Sequence, residues 1–570
     1  MSVTAFRLAS PFALLIAACS SAPPPAPAAK TLADFPNVST DAILTDTRKL
    51  ASDEFEGRAP GSKGETLTVQ YLESEFKKAG LQPGNPDGSW VQKVPLVAIT
   101  GSPSPLVIQK GSAKKSFKVS DDFVAFSKHV ADEVTLENSE LVFVGYGVQA
   151  PEYNWDDFKD VDVKGKTLVV LVNDPPVAAA ADPKELDSAK QLDSKMFGGR
   201  AMTYYGRWTY KYEKAAELGA AGVLIVHETY PAGYPWPVVQ GMAAERFNLA
   251  APDKNLGRSK VEGWLTLDAA TALLKMAGQD YEKLKAEAGK PGFKAVPLGV
   301  TASLNVKQAM RTVDSQNVIG KLPGADPVLK DEYVIYTAHW DHFGHCAPVD
   351  GDNICNGALD NATGTALMME IARKMKTITP APRRTVLFLA VTAEEQGLLG
   401  SEYYGSFPLY PLEKTLGVLN IDGINQWGRT SDLVVVGLGA SDLDDYAIAA
   451  AKEQNRTLKP DAEPEKGFYY RSDHFNFAKK GVPAFYADSG VDYIGKPADY
   501  SQKKRDEYTN VDYHKPSDQI KTDWDLSGAA EDGKLLLAMG YRLAQADKYP
   551  EWKAGNEFRS IREAALARKK

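Results

Sequence analysis

The sequence has 570 residues, a formal net charge of −8, 44% hydrophobic residues and 25% charged residues. That balance excludes collagenous, disordered and membrane-embedded chains, and the acidic sign is a poor fit for nucleic-acid backbone binding, which needs clustered Lys and Arg. At about 100–200 residues per unit, two or three folded units are expected.

Arg7 precedes a short apolar stretch, Leu8 to Ala18. A membrane-spanning helix needs about 20 residues, so this stretch has the length of a signal-peptide apolar region. It ends in Ile16-Ala17-Ala18-Cys19, which resembles a bacterial lipobox, and Ser20 resembles an outer-membrane sorting signal. The expectation is a signal peptide over 1–18, acylation at Cys19 and a proline-rich tether over 19–37. That implies membrane attachment through a lipid anchor, in an outer-membrane lipoprotein facing the periplasm or cell surface. Ordinary secretion after cleavage at a small residue is the alternative. An oxidising compartment makes Cys346–Cys355 a disulfide candidate closing a small loop. The other reading is a soft-metal pair, but eight intervening residues match no zinc-ribbon spacing.

Ser62-Lys63-Gly64-Glu65 is a capping-box pattern. Val69, Leu72, Phe76 and Ala79 follow at helical spacing, and Gly80 stops the helix. Trp90 to Leu96 reads as a strand. The middle of the chain changes character: 141–147, 166–172 and 222–226 read as strands, and 215–221 reads as a helix end. From about 314, continuous apolar runs appear at 333–338, 385–391, 417–421 and 483–486, as parallel strands covered on both faces require. Helices are expected near 362–377 and 526–546, and the last twenty or so charged residues are expected at the periphery. The fold class is α/β: a mixed, largely parallel central sheet flanked by helices over 38–130 and 300–570, with a β-rich insert over 131–299.

Each apolar run ends in metal-competent residues. The first ends in His339-Trp340-Asp341, the second in Glu394-Glu395 and the third in Asp422. Open parallel sheets bind ligands at the carboxyl ends of their strands. A lone Asp there is more often a cap or turn former, but three such ends on one sheet favour a shared site. Strand alternation puts residues i and i+2 on one face, so Asp341 can orient the His339 imidazole. Adjacent Glu394 and Glu395 point to opposite sides. Asp360 lies in turn-rich Asn356–Asn361, just before a helix, where a carboxylate can bridge two cations.

Taken in order, His-x-Asp (339–341), Asp-Asn-Ala-Thr-Gly (360–364), Glu-Glu-x-Gly (394–397), Asn-Ile-Asp (420–422) and Tyr-His-Lys-Pro-x-Asp (513–518) resemble the co-catalytic zinc aminopeptidases of metallopeptidase family twenty-eight. The resemblance covers roughly 40–125 and 300–545, and the insert resembles a protease-associated domain. It implies a zinc exopeptidase acting on peptide substrates, with two Zn²⁺ per chain. His339 and Asp422 would hold one ion, Glu395 and His514 the other, and Asp360 would bridge. Glu394 would be the general base, Asp341 the orienting residue, and Tyr513 would polarise the scissile carbonyl. The family also has a cis peptide at the position of Asp360–Asn361. The segment from His339 to Asp360 is longer than in compact members and carries both cysteines.

His342 and His345 are expected in the loop or behind the ligands, and His129, His227 and His474 in structural roles. Pro231 breaks a zincin pattern after His227-Glu228, and Asp160 breaks a P-loop before Gly165-Lys166-Thr167. Rival readings are a one-zinc glutaminyl cyclase, a carboxypeptidase and a non-catalytic surface binding protein. The complete ligand set disfavours the first and third. The 56 residues after His514 disfavour the second, whose relatives carry a large helical region there.

Overall fold

The computed structural model describes residues 30–177, 192–193, 195–241 and 245–568. Cys19, the expected signal peptide and most of the expected tether lie outside these residues. Among the described residues no helix is long and apolar enough to cross a membrane.

The apolar runs form the centre of the sheet. Tyr333–His339 pairs in parallel with Thr385–Val391 on one side and Thr415–Asn420 on the other. Thr415–Asn420 in turn pairs in parallel with Ala484–Asp488. Every residue of the first three strands is buried, which explains why they read as uninterrupted apolar runs rather than alternating ones. Antiparallel strands flank this centre, Val296–Leu322 against Thr385–Val391 and Asp432–Val436 against Ala484–Asp488. The expected mixed, largely parallel α/β sheet is therefore present.

Helices cover the sheet. Lys63–Lys78 starts where expected, with the Ser62 hydroxyl accepting from Glu65 N–H at 3.2 Å. The return half of the capping box differs: the Glu65 carboxylate accepts from Gly61 N–H and, at 3.0 Å, from the Ser315 hydroxyl. Gly364–Thr377 and Ser527–Gln545 supply Leu367, Ile371, Leu535, Met539 and Leu543 to the main core. Gly540 lets the latter helix settle on the sheet, because a Cβ there would collide with the Tyr336 hydroxyl. That hydroxyl donates to Leu536 O at 2.7 Å.

A second unit has its own cores. Parallel strands Glu133–Phe143, Thr167–Leu171, Gly222–His227 and Val261–Thr266 form its sheet, with helices Trp208–Glu217 and Leu267–Ala277 alongside. Leu106, Ile108, Phe117 and Phe123 pack in these cores, although residues up to 130 are expected with the first unit. The chain enters through Val91–Pro103 and returns through Val296–Leu322, and these two strands are antiparallel partners from Val306–Pro103 to Val318–Val91.

Two expectations about the chain ends require correction. Leu32 and Phe35 are buried in the main core, so residues near 30–37 dock rather than act as free tether. Trp552 and Phe558 are buried, and buried Arg562 donates to Thr415 O at 2.7 Å. The final segment therefore caps the sheet instead of lying at the periphery; its few apolar anchors are hidden in a charged composition.

Candidate metal centre

The strand register brings the ends together. His339 and Val391 are paired residues, so Glu394 and Glu395 leave the sheet beside His339, and Asp422 follows the neighbouring Thr415–Asn420 strand. Asp360 arrives from the turn before Gly364–Thr377, where the Asp360–Asn361 peptide is cis. His514 comes from the loop after Tyr500–Val511.

Asp360 sits between two imidazoles. Its Oδ1 lies 3.3 Å from His339 Nε2, and its Oδ2 lies 3.3 Å from His514 Nε2. His339 Nε2 is also 3.3 Å from Asp422 Oδ1, and His514 Nε2 is 3.3 Å from Glu395 Oε2. All five expected donors thus converge. Two donor groups, His339–Glu394–Asp422 and His342–Asp360–Glu395, each have atoms within 4.8 Å of one another.

These donors fit paired divalent cations. Ligands about 2.0–2.1 Å from a tetrahedral zinc stand about 3.3–3.4 Å apart, which matches the four nitrogen–oxygen separations above. The electrostatics of these side chains agree. Burial pushes the Glu394 carboxyl well above its usual range; His339 opposes this, and Asp422 and Glu395 reinforce it. Burial likewise raises Glu395, with Asp360 adding to the rise. Burial would also raise Asp360, but the His339 and His514 imidazoles hold it well below the carboxylate range. So many buried carboxyls cannot all ionise without positive counter-charge.

Asp341 faces His339 and also holds the turn that follows the next strand. Its carboxylate is 3.7 Å from His339 Nδ1, whose nearer contact is the Asp341 backbone oxygen at 3.2 Å. Asp341 lies past the strand end, and its carboxylate turns to accept Glu394 N–H at 3.0 Å and Glu395 N–H at 3.4 Å. It holds the turn that carries both glutamates. His342 is fully buried, with Nδ1 2.6 Å from Glu395 Oε1, whereas His345 is exposed. His474 is buried among Tyr469 and Tyr486, away from any donor role.

Several supporting residues are absent from the expected set. The Ser472 hydroxyl donates to Asp422 Oδ2 at 2.5 Å and accepts from Asn420 Nδ2 at 2.7 Å. Asp518, the last residue of the Tyr-His-Lys-Pro-x-Asp motif, accepts from Leu359 N–H at 3.0 Å and Asp360 N–H at 3.1 Å. It ties the His514 loop to the Asp360 loop, a role its position in the motif could have signalled. Cys346 and Cys355 form a disulfide across the hairpin Gly344–Val349/Asp352–Cys355, next to His514.

A cleft of ≈ 270 Å³ opens on Glu394, Glu395, Tyr513 and His514. Its far wall comes from the second unit. Glu213 meets Lys479 at 2.8 Å and Arg258 meets Glu402 at 3.6 Å across it. The Tyr513 ring stacks on His514 with centroids 3.7 Å apart.

Residues 317–538 match Peptidase family M28. The M28 segment contains every donor named above. Over 140 residues the chain is 35% identical to mouse (Mus musculus) aminopeptidase NAALADL1, covering 23% of this chain and 17% of that protein. Over 253 residues it is 27% identical to aminopeptidase YwaD of Bacillus subtilis (strain 168), covering 44% of this chain and 49% of that one. These matches span less than half the length of each relative. A solved aminopeptidase from Aneurinibacillus sp. strain AM-1 aligns over 89% of this chain and 94% of its own, at 20% identity and a TM-score of 0.47.

Proposed function

We propose that this chain is a metal-dependent exopeptidase that removes N-terminal residues from peptides, using two zinc ions per chain. The observation that carries this reading is the division of the Asp360 oxygens between His339 and His514, each imidazole having a further carboxylate at the same distance. His339 and Asp422 would hold one ion, His514 and Glu395 the other, with Asp360 between them. Paired zinc, when bound, supplies Lewis acidity to the scissile carbonyl and makes water acidic enough to attack at neutral pH. The M28 match and the relatives named as aminopeptidases support the class.

Glu394 takes the proton of the attacking water and returns it to the departing amine. Asp341 steadies it by accepting its backbone N–H. Tyr513 is partly exposed at the cleft; local loss of water around its hydroxyl, reinforced by Asp360 and Glu395, pushes its pKa up, so it stays protonated. It can therefore donate to the substrate carbonyl. The second unit, read as a protease-associated domain, walls the cleft and favours short peptides. On its N-terminal sequence alone, the chain would be anchored in the bacterial envelope through Cys19.

Hydrolysis of an aminoacyl-arylamide tests the proposal. Chelation is expected to abolish turnover and about two equivalents of zinc to restore it; undiminished activity in the metal-depleted protein would sink the mechanism. Glu394→Ala is expected to lower kcat by at least about 10²-fold.

A further inference from the structure

Arg58 is completely buried, yet among the described residues its guanidinium makes no direct bond to a carboxylate. Its bonds run instead to backbone carbonyls. Nε donates to Trp340 O at 2.8 Å, Nη1 to Leu50 O at 2.7 Å and Asn356 O at 2.6 Å, and Nη2 to Gly357 O at 2.8 Å. Its own carbonyl accepts from His342 N–H at 3.4 Å. Trp340 stands between His339 and Asp341, and Asn356-Gly357 opens the turn to Asp360. One side chain therefore joins both donor-bearing segments to the end of the Thr40–Leu50 helix.

The backbone under it is unusual as well. Glu56, Gly57 and Arg58 have φ of 48°, 64° and 54°, a left-handed run that non-glycine residues adopt only when their surroundings over-determine it. A Cβ at Gly57 would collide with the carbonyl oxygens of Cys355 and Gly344, so the disulfide hairpin rests on this turn. Burying a cation without a carboxylate partner is costly. Burial lowers the Arg58 pKa, with Asp341 and Asp518 opposing, but only to about 10, so the charge persists at neutral pH. A fold that needed only packing here could use an apolar side chain.

We propose that Arg58 is a positioning residue of the metal centre: its fork fixes the spacing between the His339–Asp341 strand end and the Asp360 turn before any cation arrives. Arg58 lies outside the residues that match family M28. The proposal rests on the metallopeptidase reading above. Lysine keeps the charge but offers a single point of donors, which cannot span four carbonyls in three segments.

The test compares Arg58→Lys with the unaltered chain by zinc competition against a chelator, by thermal unfolding and by kinetics. Groups that orient metal ligands typically contribute about 10–100-fold to affinity. A folded Arg58→Lys chain is expected to lose at least about tenfold in zinc affinity, and kcat should fall while KM stays near its original value, because the cleft walls are untouched. A folded variant with unchanged zinc affinity overturns the proposal alone. An unaltered chain that takes up no zinc overturns the functional reading and this proposal with it. Should Arg58→Lys not fold, hydrogen exchange on the unaltered chain decides. Equal protection of 50–58, 340–342 and 356–360 with and without zinc supports a pre-set spacing; protection that appears only with zinc overturns it.

Discussion

His339 shows how the centre prepares for a cation. Burial disfavours its charge, but Glu394 and the carboxylates of Asp341, Asp360 and Asp422 hold its pKa well above the ordinary value. The same crowding raises Glu394 and Glu395, chiefly through burial, so the cluster as a whole holds protons that its carboxylates and imidazoles share. A metal can bind only by displacing protons. Zinc uptake near neutral pH is expected to release protons, and zinc affinity to fall as pH is lowered. Calorimetry in buffers of different ionisation heat reads the number released; uptake with no net release would contradict the proton-loaded site.

At the scale of elements, the C-terminal segment offers a separate test. Glu557 is partly buried where the second unit meets the first. It accepts from the Tyr470 hydroxyl at 2.9 Å and from Tyr204 N–H at 3.4 Å. Burial pushes its pKa up to about 8, with Tyr470 opposing and Asp174 reinforcing. A carboxyl raised on folding is neutral in both states at low pH, and ionises first in the unfolded chain as pH rises. Its destabilising effect thus grows from its unfolded pKa, about 4.3, to its folded one. Glu557→Gln is expected to raise the thermal midpoint by a few degrees above about pH 8 and to leave it nearly unchanged near pH 5; an equal gain at both pH values would contradict this assignment. Elements of this kind also show where sequence reading stops. The parallel strands and their terminal donors were legible because burial on both faces leaves an apolar run, and the donors end those runs. Arg58 left no such trace, since its partners are carbonyl oxygens remote in sequence and any residue type supplies those. Strand alternation put the Asp341 carboxylate on the side of His339, but gave no hint that it also accepts the Glu394 and Glu395 N–H groups, because those residues are remote in sequence. Trp552 and Phe558 were lost in a charged composition that says nothing about individual anchors.

For the whole molecule, the two strands that lead into and out of the second unit carry a consequence for its history and its engineering. Pro103 and Val306 are cross-strand partners, and Ser104 N–H donates to Asn305 O at 2.7 Å. The unit is thus grafted onto the tip of a hairpin, and the hairpin can be closed without it. A chain in which Asn-Gly replaces residues 104–305 should form a two-residue turn of the type that matches strand twist. Pairing of Arg246–Leu249 with Leu96–Ile99 would be lost, leaving an open sheet edge that favours self-association. The shortened chain is nevertheless expected to fold and to keep its zinc affinity, as circular dichroism and zinc titration would show. Without the wall that carries Glu213 and Arg258, it should cleave long peptides that the full chain handles poorly. The second unit would then be a removable selectivity filter, added to a catalyst that could already work alone.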